Sequence, residues 1–212
     1  MKHVVWDWNG TLFDDRDVVL GATYEVFKGT EAEGVTGPEV VAAYTRPIWV
    51  AYERLLGRPL REGEWEYLDT QFHAHYERLM PTAPLAAEAR AALDLVASAG
   101  RTQSILSMAG HAHLTGAVGS FDITSYFTRV DGLVGAPGGG KAEHMVRHAA
   151  ALGIAPADLT VIGDAADDAV AAAHIGARAI LYTGGMQRRT DLEQTGAPVV
   201  DSLLAALHLL NL

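Results

Sequence analysis

Short apolar segments that alternate with helical segments restrict the fold of this chain more than any other feature of its sequence. Apolar runs typical of buried strands lie at residues 4–6, 104–106, 128–134, 160–162 and 179–182. Helical patterns lie at residues 85–99, 111–118, 143–152 and 166–175, and again from Leu203 onward. This alternation predicts an α/β fold, a doubly wound parallel sheet with a Rossmann-like core, whose ligands bind at the carboxyl ends of the strands.

The stretch from residue 15 to residue 81 interrupts the alternation. It carries Leu, Val, Tyr and Trp at helical spacing, and no part of it has a convincing strand pattern. Glycine and proline break it at residues 34–38 and 56–59. The sequence therefore predicts an inserted all-helical cap at residues 15–81 and a Rossmann-like core made of residues 1–14 and 82–212.

The composition of the chain indicates which binding partners and which cellular location to expect. The chain has 16 Lys and Arg against 26 Asp and Glu, a net charge of −10, which argues against binding to nucleic acid or to an anionic membrane. It has no apolar run long enough to span a bilayer and no signal-peptide pattern, so the expected location is the cytoplasm. Because it lacks cysteine, only carboxylates, carbonyls and histidines are left to bind a metal. A small-molecule substrate is expected.

Two groups of carboxylates follow predicted strands. Asp7 comes directly after the first strand, and the next residues include Gly10 and Thr11, a turn and a hydroxyl suited to wrapping an anion. Asp164 follows another apolar strand and a glycine, with Asp167 and Asp168 close behind. Since the carboxyl ends of parallel strands meet at one edge of a sheet, these carboxylates predict a metal site.

These residues resemble the motifs of the haloacid dehalogenase-like hydrolases, most of which are magnesium-dependent phosphatases that pass through an aspartyl-phosphate. The resemblance covers nearly the whole chain, and the position of the cap resembles the branch that includes phosphoglycolate phosphatases and β-phosphoglucomutases. The four motifs occur in the family's order, at Asp7-x-Asn9-Gly10-Thr11, Ser107, Lys141 and Gly163-Asp164-x-x-x-Asp168. The one departure is Asn9, where the family has a second aspartate.

The resemblance implies a role for each acidic residue. Asp7 would be the nucleophile that attacks phosphorus. Mg²⁺ would be held by the Asp7 carboxylate, the main-chain carbonyl of Asn9 and the Asp164 carboxylate. Asp168 would orient a metal-bound water or Lys141, and Asp167 could serve in its place.

It also implies how the substrate is held. The turn at Gly10 and Thr11, together with Ser107 and Lys141, would contact the phosphoryl oxygens. Arg46, in the predicted cap, would grip a second anionic group of the substrate. The expected partner is a small phosphorylated metabolite, with phosphoglycolate or a sugar phosphate as candidates, and the expected assembly is a monomer or a homodimer.

Asn9 leaves the activity open. In the phosphatases the second aspartate protonates the leaving group and then activates water, and an amide can do neither. Three interpretations follow: the substrate has a good leaving group, another residue transfers the proton, or the protein is a weakly active or non-catalytic binder of a phosphorylated ligand.

Two other activities compete with a phosphatase. Phosphonoacetaldehyde hydrolases of the same superfamily read Asp-Trp-Ala-Gly-Thr at the first motif, but they need a cap lysine, and the only cap lysine here is Lys28, which lies earlier than the family's position near Arg46. The run at residues 135–141 also matches the Gly-x4-Gly-Lys part of a nucleotide-binding loop, although Ala142 stands where that loop needs Ser or Thr. A kinase would leave the first motif unexplained.

Overall fold

The computed structural model describes residues 2–134 and 140–212. At its centre is a six-stranded sheet with the strand order β3-β2-β1-β4-β5-β6, and every neighbouring pair is parallel. The strands are β1 (His3–Trp6), β2 (Thr102–Gly110), β3 (Arg129–Leu133), β4 (Leu159–Gly163), β5 (Arg178–Tyr182) and β6 (Val199–Val200). The predicted doubly wound α/β fold is therefore confirmed.

Helices cover the sheet and fill the stretch between β1 and β2. They are α1 (Arg16–Phe27), α2 (Gly37–Ala43), α3 (Ile48–Leu56), α4 (Glu64–Leu79), α5 (Ala89–Ser98), α6 (His111–Ser120), α7 (Lys141–Leu152), α8 (Ala166–Ile175), α9 (Arg189–Glu193) and α10 (Leu203–His208). Short 3-10 helices lie at Met80–Thr82, Thr124–Tyr126 and Pro156–Asp158. Within the described residues, no helix has both the length and the apolar character needed to cross a membrane.

Alternation along β1 explains why helices pack on both faces of the sheet. Val4 and Trp6 point to one face and pack with α5, α6 and α10. Val5 points to the other face and packs with α7 and α8. Successive side chains of a strand face opposite ways, and all three are fully buried, so the first strand holds both halves of the core together.

The element boundaries differ from the sequence prediction in a few places. The helix expected from residue 85 begins at Ala89, because Leu85 forms an isolated antiparallel bridge with Phe13 instead. Strand β6 and helix α9 were not predicted. Each is too short to show a period in the sequence, at 2 and 5 residues.

Helices α1 to α4 occupy the region for which the sequence predicts a cap. They have a hydrophobic cluster of their own, in which Phe27 and Tyr52 meet edge to face with ring centroids 5.1 Å apart. Trp65 contacts the same Tyr52 ring at 5.8 Å. Residues 15–81 contain helices, turns and irregular segments and no strand, as predicted, and the division of this region from the core at residues 15 and 81 stays a prediction.

A chain of buried polar side chains crosses the sheet away from its carboxyl edge. Ser104 Oγ lies 2.7 Å from His3 Nε2 and 2.7 Å from His148 Nε2. His148 Nδ1 in turn lies 2.7 Å from Asp131 Oδ2. His3, Ser104 and His148 are fully buried. The sequence of groups is that of a Ser-His-Asp triad, but the serine has no access to a substrate, so the chain satisfies polar groups within the core.

Candidate active site

The carboxyl ends of β1 and β4 bring Asp7 and Asp164 together. The two strands pair with Trp6 opposite Ile162, and the Asp7 main-chain N–H donates to the Ile162 carbonyl at 2.9 Å. Asp7, Asp164 and Asp168 each place a carboxylate oxygen within 4.8 Å of the others. Strands β2 and β3 lie on one side of β1, and strands β4, β5 and β6 lie on the other. The strand order therefore reverses between β1 and β4, and open α/β sheets bind ligands at such a topological switch point.

Lys141 is the cation of this cluster. It is the first residue of α7, and its buried Nζ lies 2.5 Å from Asp7 Oδ1 and 2.5 Å from Asp168 Oδ1. Burial alone would lower the pKa of the Lys141 ammonium, but the charges of Asp168 and Asp7 raise it above its ordinary value. The glycine run at residues 135–139, which suggested a nucleotide-binding loop, lies outside the described residues.

Charge in the cluster is unbalanced among the described residues. Lys141 faces the carboxylates of Asp7, Asp164 and Asp168. Burial raises the pKa of the Asp164 carboxyl well above its ordinary value, and the charges of Asp7 and Asp168 raise it further. A second cation would therefore stabilise the ionised form of Asp164. The ligand atoms of the three aspartates are all oxygens, which Mg²⁺ prefers.

Glycines make room for the Asp164 side chain. Gly10 has a φ of +73°, and a Cβ there would lie 2.6 Å from Asp164 Oδ2. A Cβ on Gly185 would lie 1.7 Å from the same oxygen. The Thr11 hydroxyl is fully buried and donates to Asp164 Oδ1 at 3.2 Å. Thr11 thus contacts Asp164, and its predicted contact with phosphate stays a prediction.

Ser107 lies where β2 loses its regular pairing. Leu106 pairs with Asp131, and the next pair is Gly110 with Leu133, so the register shifts between them. The shift turns Ser107 into the same cavity as Asp7, and its Oγ accepts from the Ala109 main-chain N–H at 3.1 Å. Ser107 therefore lines the same cavity as Asp7, and its predicted contact with the phosphoryl oxygens stays a prediction.

Asn9 is held by two partners that the sequence did not suggest. Its side-chain Nδ2 donates to Asp15 Oδ2 at 2.8 Å and to the Tyr76 hydroxyl at 2.7 Å. Tyr76 also donates to Asp15 Oδ2 at 2.6 Å, and the Gly10 main-chain N–H donates to Asp15 Oδ1 at 2.9 Å. Burial raises the pKa of the Asp15 carboxyl. The two amide hydrogens of Asn9 are thus both engaged, one by each partner.

Arg46 and Asp167 form an ion pair with each other. Arg46 Nη1 lies 3.0 Å from Asp167 Oδ2, and the two side chains are 48% and 44% exposed. Both residues line the cavity. Asp167 is outside the carboxylate cluster, and Asp168 is the residue in contact with Lys141. The pair ties the helical region to α8 at the entrance of the site.

One cavity of about 560 Å³ joins the carboxylate cluster to the helical region. Its wall includes every predicted site residue except Thr11 and Asp168, which lie buried behind it. His113, for which the sequence suggested no role, reaches the wall, whereas Lys28 does not: it pairs with Glu25 at 2.7 Å and is 63% exposed.

Sequence reasoning missed Asp15 and Tyr76. Asp15 stands eight residues after Asp7 and next to Asp14, and nothing in the pattern distinguishes the two. Tyr76 belongs to an aromatic helical pattern that reads as cap core, and its ring does stack on Phe72 at 5.9 Å. Only the three-dimensional structure shows that its hydroxyl reaches Asn9.

Comparisons with known proteins identify the fold. Residues 138–206 match the family model described as HAD-hydrolase-like. A predicted phosphoglycolate phosphatase from Haemophilus somnus 129PT has 18% identity and a TM-score of 0.79, with 99% of this chain and 97% of that chain covered. The comparisons therefore confirm the fold that the resemblance implies, and residues 138–206 carry the sequence match to this family.

Two further structures share this haloacid dehalogenase-like fold. A haloacid dehalogenase-like family hydrolase from Streptococcus pneumoniae has 16% identity and a TM-score of 0.83, covering 99% of this chain and 98% of its own. A predicted phosphatase from Clostridium acetobutylicum has 17% identity and a TM-score of 0.81, covering 100% and 99%. No curated protein sequence matches the chain. At sequence identities of 16–18%, the structural similarity shows a shared fold and does not show a shared substrate.

Proposed function

We propose that the protein is a phosphatase that hydrolyses a small phosphate monoester through an aspartyl-phosphate on Asp7. One observation carries the proposal: Asp7 lies at the switch point of a haloacid dehalogenase-like sheet, with Lys141 Nζ 2.5 Å from its carboxylate. Phosphoryl transfer depends mainly on positioning and on neutralising charge, and this arrangement provides a positioned nucleophile with a cation beside it.

A magnesium ion fits the site. Asp7 and Asp164 would hold it, because their carboxylate oxygens lie in the cluster described above, and the family resemblance implies the main-chain carbonyl of Asn9 as a further ligand. Bound there, Mg²⁺ would neutralise charge on the carboxylates and on the phosphoryl group. The absence of a side chain at Gly10 and Gly185 leaves room around Asp164 Oδ2.

The chemistry needs two steps at phosphorus. A carboxylate oxygen of Asp7 attacks phosphorus, the ester P–O bond breaks, and its electron pair leaves with the alcohol oxygen. Water then attacks the same phosphorus, which releases phosphate and restores Asp7. Lys141 holds the nucleophile in place and offsets its repulsion from the substrate, while Ser107 lies on the cavity wall within the same site.

Asn9 limits which esters react quickly. Its amide is no acid, and its hydrogens are already bonded to Asp15 and Tyr76. The leaving group therefore departs as a stable anion or takes a proton from water or from another side chain. Phosphonoacetaldehyde hydrolysis is less well supported, since Lys28 lies outside the cavity wall.

The proposal is tested by phosphate release from a panel of monoesters, with Mg²⁺ and with excess chelator. We expect turnover with Mg²⁺ and its loss on chelation and in Asp7→Asn. A protein that binds phosphate esters in the presence of Mg²⁺ and turns none of them over would be a non-catalytic binder, and the proposal would be wrong. Turnover that persists unchanged in chelator would also contradict it.

A further inference from the structure

The cavity has two chemically different ends. Its core end carries Asp7, Lys141 and Asp164. The wall formed by α1 to α4 is lined largely by aliphatic and aromatic side chains, which come from all four helices: Val19, Val40, Ile48, Tyr52, Leu55 and Phe72. A phosphoryl group held at the core end would therefore direct the rest of the substrate toward an apolar surface.

Charged groups on the same wall do not favour a second anion. Arg46 is paired with Asp167. Arg16 shares the wall with the carboxylates of Asp69 and Glu77. Asp167, Asp69 and Glu77 outnumber Arg46 and Arg16 among these groups, whereas a site for a substrate with an additional carboxylate or phosphate needs an excess of positive charge.

The size of the cavity and the chemistry of Asn9 point the same way. About 560 Å³ is room for a drug-sized molecule, well beyond the needs of a two-carbon acid. A phenolic leaving group departs as a stable anion and so does without the proton that Asn9 cannot give. Apolar walls and a missing acid are independent observations, and an aryl ester satisfies both.

We propose that the substrate is a phosphate monoester of an apolar alcohol of ring size or larger, with a phenol as the best match. This inference rests on the proposed phosphatase function. The phosphoryl group would lie against Asp7 and Lys141, and the organic group would lie between the helices, in contact with Phe72 and Ile48. Phosphoglycolate and sugar phosphates, the candidates implied by family resemblance, would leave this surface uncovered.

Binding of non-hydrolysable probes tests the inference without relying on turnover. Propyl-, pentyl- and heptylphosphonic acid carry nearly the same head group and differ only in apolar length. With Mg²⁺ present, calorimetry should show that Kd falls by about threefold to fourfold for each added methylene, the effect of burying a CH₂ group. Phosphonoacetic acid, which carries a second anionic group, should bind more weakly than pentylphosphonic acid.

Variants of the apolar wall locate the effect. Phe72→Ala should weaken binding of heptylphosphonic acid by about tenfold and leave propylphosphonic acid nearly unchanged, and Phe72→Leu should restore most of the loss. Tyr67→Ala is the matched control, because Tyr67 lies on the same helix, is 63% exposed and does not line the cavity. Ile48→Ala provides a second test of the same surface. Because Phe72 and Ile48 both pack on the helical cluster, unchanged binding of propylphosphonic acid shows that each variant is still folded.

The possible outcomes separate this inference from the phosphatase proposal. A Kd that does not depend on chain length, or phosphonoacetic acid binding best, would overturn the apolar substrate while leaving a phosphatase in place. Chain-length dependence that survives both Phe72→Ala and Ile48→Ala would overturn the assigned surface. If no phosphonic acid binds and no ester is hydrolysed, the phosphatase proposal falls, and this inference falls with it.

Discussion

The Asn9 side chain donates to the Asp15 carboxylate across 2.8 Å. This contact explains why an amide can stand where related enzymes have a second aspartate. Asp15 is buried, and an ionised carboxylate can accept hydrogen bonds but cannot donate them. The side chain beside it must therefore be a donor. Asp15 supplies the carboxylate of this group of side chains, and Tyr76 is hydrogen-bonded to both residues.

The first prediction follows from this pairing. Asn9→Asp should destabilise the protein by about 1–3 kcal/mol, because it sets two carboxylates against each other in a partly buried site. The double variant Asn9→Asp/Asp15→Asn exchanges the two groups and should recover most of the loss. Urea unfolding at neutral pH measures both, and a double variant less stable than Asn9→Asp would contradict the pairing.

The same double variant should change reactivity. An aspartate at position 9 whose partner is an amide can supply the missing proton, so turnover of alkyl phosphates should rise, by at most about 10²–10⁴-fold. Turnover of aryl phosphates should change much less, since their leaving groups need no proton. If the double variant changes the turnover of alkyl and aryl phosphates equally, another group supplies the proton in the wild type. Because Asn9 precedes Gly10, mass spectrometry must verify that the wild-type amide has not deamidated.

Lys141 provides a third prediction. Lys141→Met should lower kcat at least about 10²-fold, because it removes the cation beside Asp7 and leaves the carboxylate cluster without its counter-charge. Lys2→Met is the matched control: Lys2 is 76% exposed and pairs with Asp158 at the surface. Steady-state kinetics on an aryl phosphate compares the two. Similar losses in both variants would argue against a role for Lys141 in the reaction.

The buried histidines predict how stability depends on pH. Burial, helped by His148, lowers the pKa of His3 to about 4 from 6.5. The unfolded chain therefore binds a proton below pH 6.5 that the folded chain refuses until about pH 4. The contribution of His3 is present above the unfolded pKa and is lost as the pH falls through this window, at about 1.4 kcal/mol per pH unit.

Removing His3 isolates this effect from that of other groups. The free energy of unfolding of the wild type should fall by about 2 kcal/mol more than that of His3→Gln between pH 6.5 and pH 5. The exposed His208 serves as the control position, and His208→Gln should follow the wild type. Parallel pH curves for the wild type and His3→Gln would show that His3 does not titrate as inferred.

Much of the fold was predictable because apolar runs and helical periods are local. The runs that contain Val4 and Ile162 identify central strands, and the residues that follow them, Asp7 and Asp164, meet because adjacent parallel strands end at one edge. The Asn9 network was not predictable, since it joins the first loop to Tyr76, 67 residues away. Nor could the sequence show that Thr11 would turn toward Asp164.

Other expectations stay predictions. They include the bounds of the cap, the monomeric or dimeric state, the cytoplasmic location and the functional roles of the individual site residues. Arg46 lies on the cavity wall and pairs with Asp167, and its contact with a second anionic group of the substrate stays a prediction. A double-mutant cycle on Arg46 and Asp167, with KM as the readout, would separate the pair from a direct substrate contact.

The most direct test of the central claim is to trap the phosphorylated enzyme. An aryl phosphate is mixed with the protein and Mg²⁺, the reaction is quenched in acid within one turnover, and borohydride reduces any acyl phosphate to the alcohol. Peptide mass spectrometry should then find homoserine at position 7 in the wild type, and no modification in Asp7→Asn or without substrate. Rapid turnover with no trapped group on Asp7, or with the group on another carboxylate, would contradict an aspartyl-phosphate at Asp7.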